Sequence, residues 1–438
     1  MGSLALPGTL CGWLDLLESR HHTSIDLGLE RASAVWQRMG SPQVAARAFM
    51  VAGTNGKGST VSTLCALLDA LGFRHGSYTS PHIEQYNERV RLNGEPVSDA
   101  VLLESFARIE EARGDISLSY FEFGTLSAID ILARARLEFA VMEIGLGGRL
   151  DAVNILDADC AVITPIGLDH QDYLGNDLYS IGREKAGIIK AGRPVICGDS
   201  NPPASIAEVA GSRAAPLQQL GRDFHIRESA GHAHFSMDGL ELDVPLPVLA
   251  GKHQLNNMAT ALAALFELLP AARSMPVELG QGLRAVSLRG RFEQVQENPV
   301  IWLDVGHNPL AAGVVAGAVA DAMRAGGIRR CTCVLGLLSD KDAGAVARQL
   351  EPVISTWYCA GLGSDRGQSG AELAKQLSDT GLALDLRVYD RVDAALIAAV
   401  ADSSRTDAVL VFGSFLTVMD AMRHLGTDTA RIPSEGQG

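Results

Sequence analysis

The stretch MVAGTNGKGST, residues 50–60, has the composition of a phosphate-binding loop. It departs from the common form, in which four residues separate the first glycine from Gly-Lys-Ser/Thr. Here only two residues separate Gly53 from Gly56, and Gly58 follows Lys57 directly. The physical requirement is still met, because glycines let backbone N–H groups converge on an anion while a helix N-terminus and a lysine add positive charge. The stretch therefore predicts a nucleotide-phosphate site, and the alternative is a plain glycine-rich turn with a solvated Lys57.

Acidic residues and a histidine follow two other strand-like runs. MEIGLGGRLDAVN places Glu143 at a strand end, and TPIGLDHQDYLG offers Asp169, His170 and Asp172 after the next strand. Ligands of open parallel sheets bind outside the carboxyl ends of the strands, so Glu143 is expected at the same edge as the phosphate loop. Glu143 and His170 are candidate Mg²⁺ ligands, although oxygen is the preferred donor and His170 has the alternative of an ordinary loop histidine.

Three further segments carry candidate residues. YSIGREKAGIIKAG has a helical pattern, and its periodicity alone predicts that Lys185 lies on the solvent-exposed face. WLDVGHNP ends a strand with Asp304 and continues through His307 to Asn308, while VLVFGSFLTVMD ends a strand at Gly413 and Ser414. Both strand ends suit a small anionic ligand or the far side of a nucleotide, and the alternative is two ordinary turns with helix N-caps.

These residues must be positioned by alternating strands and helices. Such alternation predicts a parallel sheet covered on both faces. The predicted strands are 47–53, 138–144 and 159–165, and the predicted helices are 59–71, 121–136, 176–190 and 254–268. The alternating run HAHFSMDGLELDVPLPV, within about 215–250, predicts a small antiparallel insertion.

A second alternation begins near residue 299, with strand-like runs VIWLDV, CTCVLGLL, ISTWYC, LDLRVYD and AVLVFG. The predicted fold class is therefore α/β with two domains. Residues 1–290 form a P-loop, parallel-sheet, ATPase-like domain with the antiparallel insertion, and residues 291–438 form a smaller Rossmann-like domain.

The composition argues against a nucleic-acid-binding protein and against a membrane protein. The 438 residues are 47% apolar and 20% charged, with a net charge of -14, and no dense Lys/Arg run suggests a nucleic-acid partner. No apolar run is long enough to span a bilayer, and the first residues lack an export-signal pattern, so we expect a cytoplasmic protein without a membrane partner. The seven scattered cysteines, including Cys331 and Cys333, are expected to be reduced thiols, and the state of assembly is expected to be a monomer.

Taken together, the motifs resemble the folylpolyglutamate synthases of the Mur ligase superfamily, and most closely the bacterial form that is also a dihydrofolate synthase. The resemblance spans about residues 20–420. It rests on strings in a fixed order: GTNGKGST, SPHIEQYNERVR, YFEFGTLSA, EIGLGGRLDAVN, LDHQDYLG, IGREKAGI, LRGRFE, DVGHNP and VFGSF. The family's own phosphate loop has the short form found here.

The resemblance implies a reaction and its cofactors. ATP phosphorylates a carboxylate of dihydropteroate or a reduced folate, and the amine of L-glutamate displaces phosphate to form an amide. ATP and two Mg²⁺ ions are implied, and no organic redox cofactor. By position in the motifs, the implied ATP-binding residues are Asn55, Gly56, Lys57, Gly58, Ser59, Asn257, Arg291 and Asp304.

The family motifs imply further roles. The implied metal ligands are Ser59, Ser80, Glu143 and His170, and Lys185 matches a lysine that is carbamylated in the superfamily. Lys57, Lys185 and His170 are the implied catalytic residues. The implied pterin-site residues are Ile25, Asp26, Leu27, Ser119, Tyr120, Phe121, Glu122, Leu150, Asp151 and Ala152, and the glutamate-site residues are His307 and Ser414. Phe121 has the alternative of a core residue. The string GKHQLNN has Gln254 where the Mur pattern has Asn, which weakens a role for that position but not for Asn257.

Three alternatives compete. A cell-wall Mur ligase has an N-terminal domain for a UDP-sugar, for which the roughly fifty residues before Gly53 are too few. A folylpolyglutamate synthase without dihydropteroate activity would fail to make dihydrofolate. A nucleotide-binding switch would release phosphate without requiring glutamate and a pterin.

Overall fold

The computed structural model describes residues 6–21, 26–364 and 366–427 and divides into two compact units. The first unit comprises Met1–Gly167, Gln171–Val248 and Gln254–Ser287. The second comprises Leu168–His170, Leu249–His253 and Leu288–Gly438. The sequence pattern did not predict the two short segments that join the second unit, and one of them carries His170.

The first unit is built on an eight-stranded sheet with the order β4-β3-β2-β5-β1-β6-β7-β8. The strands β2, β5, β1, β6, β7 and β8 run parallel to one another. At the other end of the sheet, β3 and β4 form an antiparallel edge that the sequence did not predict. The strands are β1 (Arg47–Ala52), β2 (His75–Tyr78), β3 (Val90–Leu92), β4 (Glu95–Pro96), β5 (Phe139–Glu143), β6 (Cys160–Ile163), β7 (Val195–Cys197) and β8 (Leu217–Gln219).

Helices cover both faces of this sheet because successive residues of a strand point to opposite sides. In β1, Ala48, Met50 and Ala52 enter one apolar core, and Phe49 and Val51 enter the other. The helices are α1 (Leu10–Arg20), α2 (Glu30–Arg38), α3 (Lys57–Ala70), α4 (Asp99–Arg113), α5 (Tyr120–Arg134), α6 (Gln171–Leu174), α7 (Leu178–Ala186), α8 (Ala204–Ser212), α9 (His253–Leu268) and α10 (Pro276–Ala285).

The predicted antiparallel insertion is present as a three-stranded sheet of β9 (Phe224–Ser229), β10 (His232–Met237) and β11 (Leu240–Pro245). Its alternating sequence buries Ala233, Phe235 and Met237. These side chains pack in the same core as α3, α9 and α10, so the insertion covers part of one face of the first unit.

The second unit has a six-stranded sheet with the order β12-β13-β17-β14-β15-β16, in which only β12 runs antiparallel. This sheet and its helices confirm the second alternation of strands and helices that was predicted from near residue 299. Its elements are β12 (Glu293–Glu297), β13 (Val300–Asp304), β14 (Arg330–Leu335), β15 (Thr356–Ala360), β16 (Leu386–Tyr389) and β17 (Asp407–Phe412), with α11 (Pro309–Arg324), α12 (Ala343–Leu350), α13 (Gly370–Ser378), α14 (Val392–Ala401) and α15 (Phe415–Leu425).

The cysteine pair and the helix lengths can be compared with the composition. Cys331 and Cys333 are buried free thiols on β14. Within the described ranges, no helix combines the length and the apolar character that a membrane crossing needs.

Candidate active site

The phosphate loop connects β1 to α3, and its backbone conformation requires two of its glycines. Gly53 has φ +151° and Gly56 has φ +87°. A Cβ atom at Gly53 would collide with the hydroxyl of Thr164 and lie 2.9 Å from its carbonyl oxygen. At Gly56 a Cβ atom would lie 2.5 Å from Oδ1 of Asn257. The loop is therefore held against β6 on one side and α9 on the other.

The first turn of α3 supplies donors for an anion. Gly56, in the left-handed conformation, is the N-cap, so the helix begins at Lys57, two residues earlier than predicted. The first N–H groups of a helix have no partner within it, and they carry its partial positive charge. In the same turn, Ser59 is buried, and the buried hydroxyl of Thr60 has no hydrogen-bond partner among the described residues. An orphaned hydroxyl beside free helix N–H groups fits a bound phosphate.

Two lysines meet at one carbonyl oxygen of the loop. Lys57 Nζ donates to the carbonyl oxygens of Gly53 at 3.0 Å and Thr54 at 3.2 Å. Lys185 Nζ donates to the same Gly53 oxygen at 2.9 Å. Two ammonium groups this close repel each other, so the arrangement favours a ligand with several negative charges.

The prediction from periodicity that Lys185 is solvated is wrong, since only 5% of the residue is exposed. The reason is that α7 packs tightly on the loop after β5. Arg149 N donates to the Glu184 carbonyl at 2.9 Å, and a Cβ atom at Gly148 would lie 2.9 Å from the Lys185 carbonyl oxygen. The glycines of GLGGR thus allow the close approach that buries Lys185.

Ser80 and Glu143 lie at the same sheet edge as the phosphate loop. Glu143 is the last residue of β5 and is 5% exposed, and Ser80 comes two residues after the end of β2. Because β2, β5 and β1 are parallel neighbours, their carboxyl ends share one edge. A carboxylate and a hydroxyl are suitable donors for Mg²⁺, so these residues fit the implied ion. His170 is described with the second unit, below.

Two of the implied pterin-site segments, those of Phe121 and Asp151, lie close together next to Gly145, two residues after the end of β5. Phe121 is half-buried at the start of α5, and a Cβ atom at Gly145 would lie 2.5 Å from its Cζ. The same atom would lie 3.4 Å from Oδ2 of Asp151. Asp151 is buried and accepts from Leu146 N at 2.8 Å and Val153 N at 2.9 Å. Burial raises the pKa of Asp151 to about 6.

Other residues of these segments already have structural partners. Ser119 caps α5 and exchanges hydrogen bonds with Glu122, whose buried carboxylate also accepts from Arg31 Nε at 3.1 Å. Tyr120 begins the helix, and Ala152 begins a short 3₁₀ turn.

The implied pterin-site segment that contains Asp26 is hydrogen-bonded to the segment that contains Leu150. Gly28 N donates to the Leu150 carbonyl at 3.2 Å. Asp26 pairs with Arg31 at 2.8 Å. Leu27 lies between them and is partly buried, and Ile25 lies outside the described residues.

Gln254 is a residue whose importance the sequence did not indicate. It is buried on the first turn of α9, and its Oε1 accepts from Asn257 Nδ2 at 2.8 Å. This bond leaves Asn257 Oδ1 directed at Gly56 of the phosphate loop. The three-residue spacing on a helix was the available signal, since such residues are neighbours on the helix surface.

We expect Gly56→Ala to lower kcat/KM for ATP by about 100-fold, because an ångström-scale displacement of a positioning loop costs that much. Gly72→Ala is the matched control: Gly72 has φ +78° but open space around its Cβ position. Left-handed backbone strain of about 1–2 kcal/mol applies to both variants. Initial rates at varied ATP, with thermal unfolding of both proteins, measure the difference, and equal kcat/KM values would contradict the role given to the contact with Asn257.

In the second unit, candidate residues lie at the carboxyl ends of the neighbouring strands β13 and β17. Asp304 ends β13 and is buried, and its two oxygens accept from Phe292 N at 2.9 Å and Gly306 N at 2.7 Å. Burial raises the pKa of Asp304, against the opposing effect of Arg291. The guanidinium of Arg291 lies 5.4 Å from the ring centre of Phe415.

The two helix caps expected at these strand ends are present. Asn308 caps α11 by accepting from Ala311 N at 2.9 Å, and Ser414 caps α15 by accepting from Thr417 N at 3.0 Å. The ligand roles implied for His307 and Ser414 stay predictions, since capping accounts for Ser414 without a ligand.

Asp169 is the centre of a polar cluster in the second unit. Its carboxylate accepts from Lys341 Nζ at 2.7 Å and Asn308 Nδ2 at 3.1 Å, and lies 3.5 Å from His307 Nε2 and 3.9 Å from His170 Nε2. Burial alone would raise the pKa of Asp169, but the rings of His307 and His170 and the charge of Lys341 hold it well below its usual range. Lys341 was not predicted from the sequence, because LSDKD has the composition of a solvated loop.

Comparisons with known proteins agree with this architecture. Residues 51–265 match the Mur ligase middle domain, and residues 290–415 match the Mur ligase glutamate ligase domain. The chain is 43% identical to the dihydrofolate synthase/folylpolyglutamate synthase of Escherichia coli strain K12, over 94% of each chain.

Solved structures are equally similar. FolC of E. coli in complex with DHPP and ADP superimposes with a TM-score of 0.89 at 42% identity, covering 96% of this chain and 98% of that one. The bifunctional folylpolyglutamate synthase/dihydrofolate synthase of Yersinia pestis, complexed with AMPPNP and Mn, gives a TM-score of 0.86 at 42% identity, with the same coverage. The chain therefore belongs to the dihydrofolate synthase/folylpolyglutamate synthase family, with the domains of the Mur ligases.

Proposed function

We propose that this protein is an ATP-dependent ligase that joins L-glutamate to dihydropteroate, giving dihydrofolate, and to reduced folates, giving folylpolyglutamates. The observation that carries the proposal is the meeting of Lys57 and Lys185 at the Gly53 carbonyl. That oxygen belongs to a phosphate loop whose sheet edge also carries Glu143 and Ser80. The relatives named for both activities, and the structures of relatives with ADP, DHPP and AMPPNP, support the same substrates.

The chemistry requires activation of an acid. A carboxylate is a poor electrophile, so one of its oxygens first attacks the γ-phosphorus of ATP, and ADP leaves. The glutamate amine then attacks the acyl carbon, inorganic phosphate leaves, and the amine loses a proton. A bound divalent ion supplies charge neutralisation at the phosphates and the carboxylate. Lys57 and the first N–H groups of α3 hold the phosphates and stabilise the negative charge that builds up on the transferred group.

We assign the remaining roles as part of the same proposal. In the first unit, the phosphate-loop residues Asn55, Gly58 and Ser59, with Asn257, bind ATP, and Ser59, Ser80 and Glu143 are metal ligands. His170, which belongs to the second unit, is also assigned as a metal ligand. The segments that contain Asp26, Phe121 and Asp151 bind the pterin. In the second unit, Arg291 and Asp304 bind ATP, and His307 and Ser414 bind glutamate.

A product assay by mass tests the function. With ATP, Mg²⁺ and L-glutamate, we expect dihydropteroate to give dihydrofolate, and tetrahydrofolate to give species longer by one or more glutamates. Product from tetrahydrofolate alone would identify a folylpolyglutamate synthase without the first activity. Phosphate release that is independent of both the acid and glutamate would contradict ligation altogether. A monomeric state and a cytoplasmic location, both expected from the sequence, stay predictions.

A further inference from the structure

Arg89 is a buried cation in the first unit. It ends a short 3₁₀ turn, Tyr86–Arg89, directly before β3, and only 8% of the residue is exposed. Its carbonyl oxygen accepts from Thr79 N at 2.9 Å, so its backbone is fixed next to Ser80. None of the roles assigned above uses its side chain.

Four residues, which we call the Arg89 cage, surround the guanidinium: Tyr78, His82, Tyr86 and Tyr120. Nε of Arg89 donates to His82 Nδ1 at 2.9 Å, and the Tyr78 hydroxyl is near enough to raise the pKa of Arg89. The guanidinium carbon lies 5.0 Å from the ring centre of Tyr86 and 5.4 Å from that of Tyr120. The cation is thus held by aromatic faces and two neutral polar atoms.

The cage supplies no negative charge at neutral pH. Three of its members are phenols, which are neutral at this pH. The fourth is the His82 imidazole, whose Nδ1 accepts from Arg89 and therefore carries no proton. The cage thus holds no carboxylate, whereas a guanidinium is always charged.

No carboxylate pairs with Arg89 among the residues that the structure describes. The neighbouring acid, Glu88, instead accepts from the backbone N–H groups of Ile83, Glu84 and Gln85. Other partly buried arginines of this unit do have acidic partners: Arg31 Nε lies 3.1 Å from Glu122, and Arg108 Nη2 lies 2.7 Å from Asp130. An unpaired buried charge is costly, and stacking on aromatic rings offsets the cost only in part. The missing counter-ion points to an anionic ligand.

The position of the cage indicates which ligand this is. Tyr120 precedes Phe121, whose ring centre lies 6.3 Å from that of Tyr78. His82 comes two residues after Ser80, on the segment that leaves the end of β2. The cation therefore lies between the segment proposed to bind the pterin and the segment proposed to bind a metal ion. The group of the acid substrate that must reach this place is its carboxylate.

We propose that Arg89 is the counter-ion for the carboxylate to which glutamate is joined, and that it holds this group within the aromatic cage. The proposal rests on the proposed function, because it takes dihydropteroate or a folate as the acid. It gives Arg89 a binding role in which the guanidinium donors that the cage leaves free are directed at carboxylate oxygens. Specificity for an acid over its amide follows, since an amide carries no charge to pair with the cation.

The test compares the binding of pteroate and of pteroate carboxamide, measured by calorimetry in the presence of ADP and Mg²⁺. We expect the wild-type protein to prefer pteroate, and Arg89→Met to reduce that preference by about 10- to 100-fold, the range for a hydrogen bond to a charged group. Arg89→Lys keeps the charge and should retain part of the preference. Arg91→Met is the matched control, because Arg91 lies two residues further along the chain, in β3, and its Nη1 donates to the Gly94 carbonyl at 3.0 Å.

The outcomes separate a binding role from a structural one. If Arg89→Met weakens the binding of pteroate and of its carboxamide equally, the residue only supports the cage and the proposal is overturned. It is also overturned if Arg89→Met discriminates as well as the wild-type protein does. Unchanged ADP affinity in both methionine variants confirms that the fold survives. The mass assay on the wild-type protein is independent: absence of product there overturns the proposed function, whereas the binding comparison still decides whether Arg89 recognises the carboxylate.

Discussion

Replacing Lys57 by methionine is expected to lower kcat by about 10²–10³-fold, the typical loss when one preorganised donor to a developing charge is removed. In the structure the ammonium group caps the loop by binding the Gly53 and Thr54 carbonyl oxygens, so it stands where the phosphates of the nucleotide are proposed to bind. Steady-state rates with saturating ATP, dihydropteroate and glutamate measure the loss.

The same variant should remain folded. It loses two hydrogen bonds from a partly exposed side chain, each worth about 1.5–3 kcal/mol at most for a charged donor, but it also removes the repulsion from Lys185. Lys190→Met is the control, since Lys190 forms a surface pair with Asp157 at 3.0 Å and lies outside the site. Thermal unfolding of both variants should stay close to that of the wild-type protein. A Lys57→Met protein with kcat within ten-fold of the control would exclude the assigned role of this loop.

Much of the fold could be predicted because it depends on local patterns. Residues 48–52 of the run RAFMVAG alternate between two cores, and HAHFSM buries every second residue, so both segments show their strand character in sequence. The phosphate loop was equally accessible, since its glycines and lysine are adjacent along the chain. In each case the residues that determine the structure lie within one element or one turn.

The features that escaped prediction depend on contacts between distant segments. Lys185 is buried only because the glycines near 147 let α7 approach, and Lys341 meets Asp169 across 172 positions of sequence. Periodicity along one helix or one loop does not reveal which partner covers it. Gln254 is a different case, because its hydrogen bond to Asn257 is local. The Mur pattern has Asn at this position, so Gln254 was given little weight, yet its side-chain amide still orients Asn257.

The positive charges of the first unit share a common physical logic. Lys57 and Lys185 converge on one oxygen, and Arg89 lies in a neutral cage without an acid. The reaction brings together a triphosphate and a carboxylate, which repel each other in water. A site with fixed, desolvated cations reduces this repulsion before the metal ions contribute, because electrostatic interactions are stronger where water is excluded.

Lys185 is the residue for which we expect a covalent change. Its neutral amine can attack the carbon of CO₂, giving a carbamate and releasing one proton, and the product carries a negative charge where the ammonium carried a positive one. The change relieves the repulsion between Lys185 and Lys57 and places an oxygen ligand near the sheet edge of Glu143, as metal coordination requires. Protein equilibrated with ¹³C-bicarbonate should show a carbamate resonance that is missing from Lys185→Met and present in Lys190→Met.

Activity should follow the same modification. We expect Lys185→Met to lose about 10²–10³-fold in kcat, as for other groups that stabilise charge in the reacting complex. Wild-type protein in CO₂-depleted buffer should lose activity reversibly and regain it with bicarbonate, whereas Gly72→Ala, which leaves the site intact, should respond as the wild type does. If depletion has no effect and the resonance is absent, Lys185 acts as an ammonium ion. The hydrogen bond from Lys185 to the Gly53 carbonyl would then be its geometry in the active enzyme. The phosphates would face two cations, Lys57 and Lys185, rather than a cation and an anion.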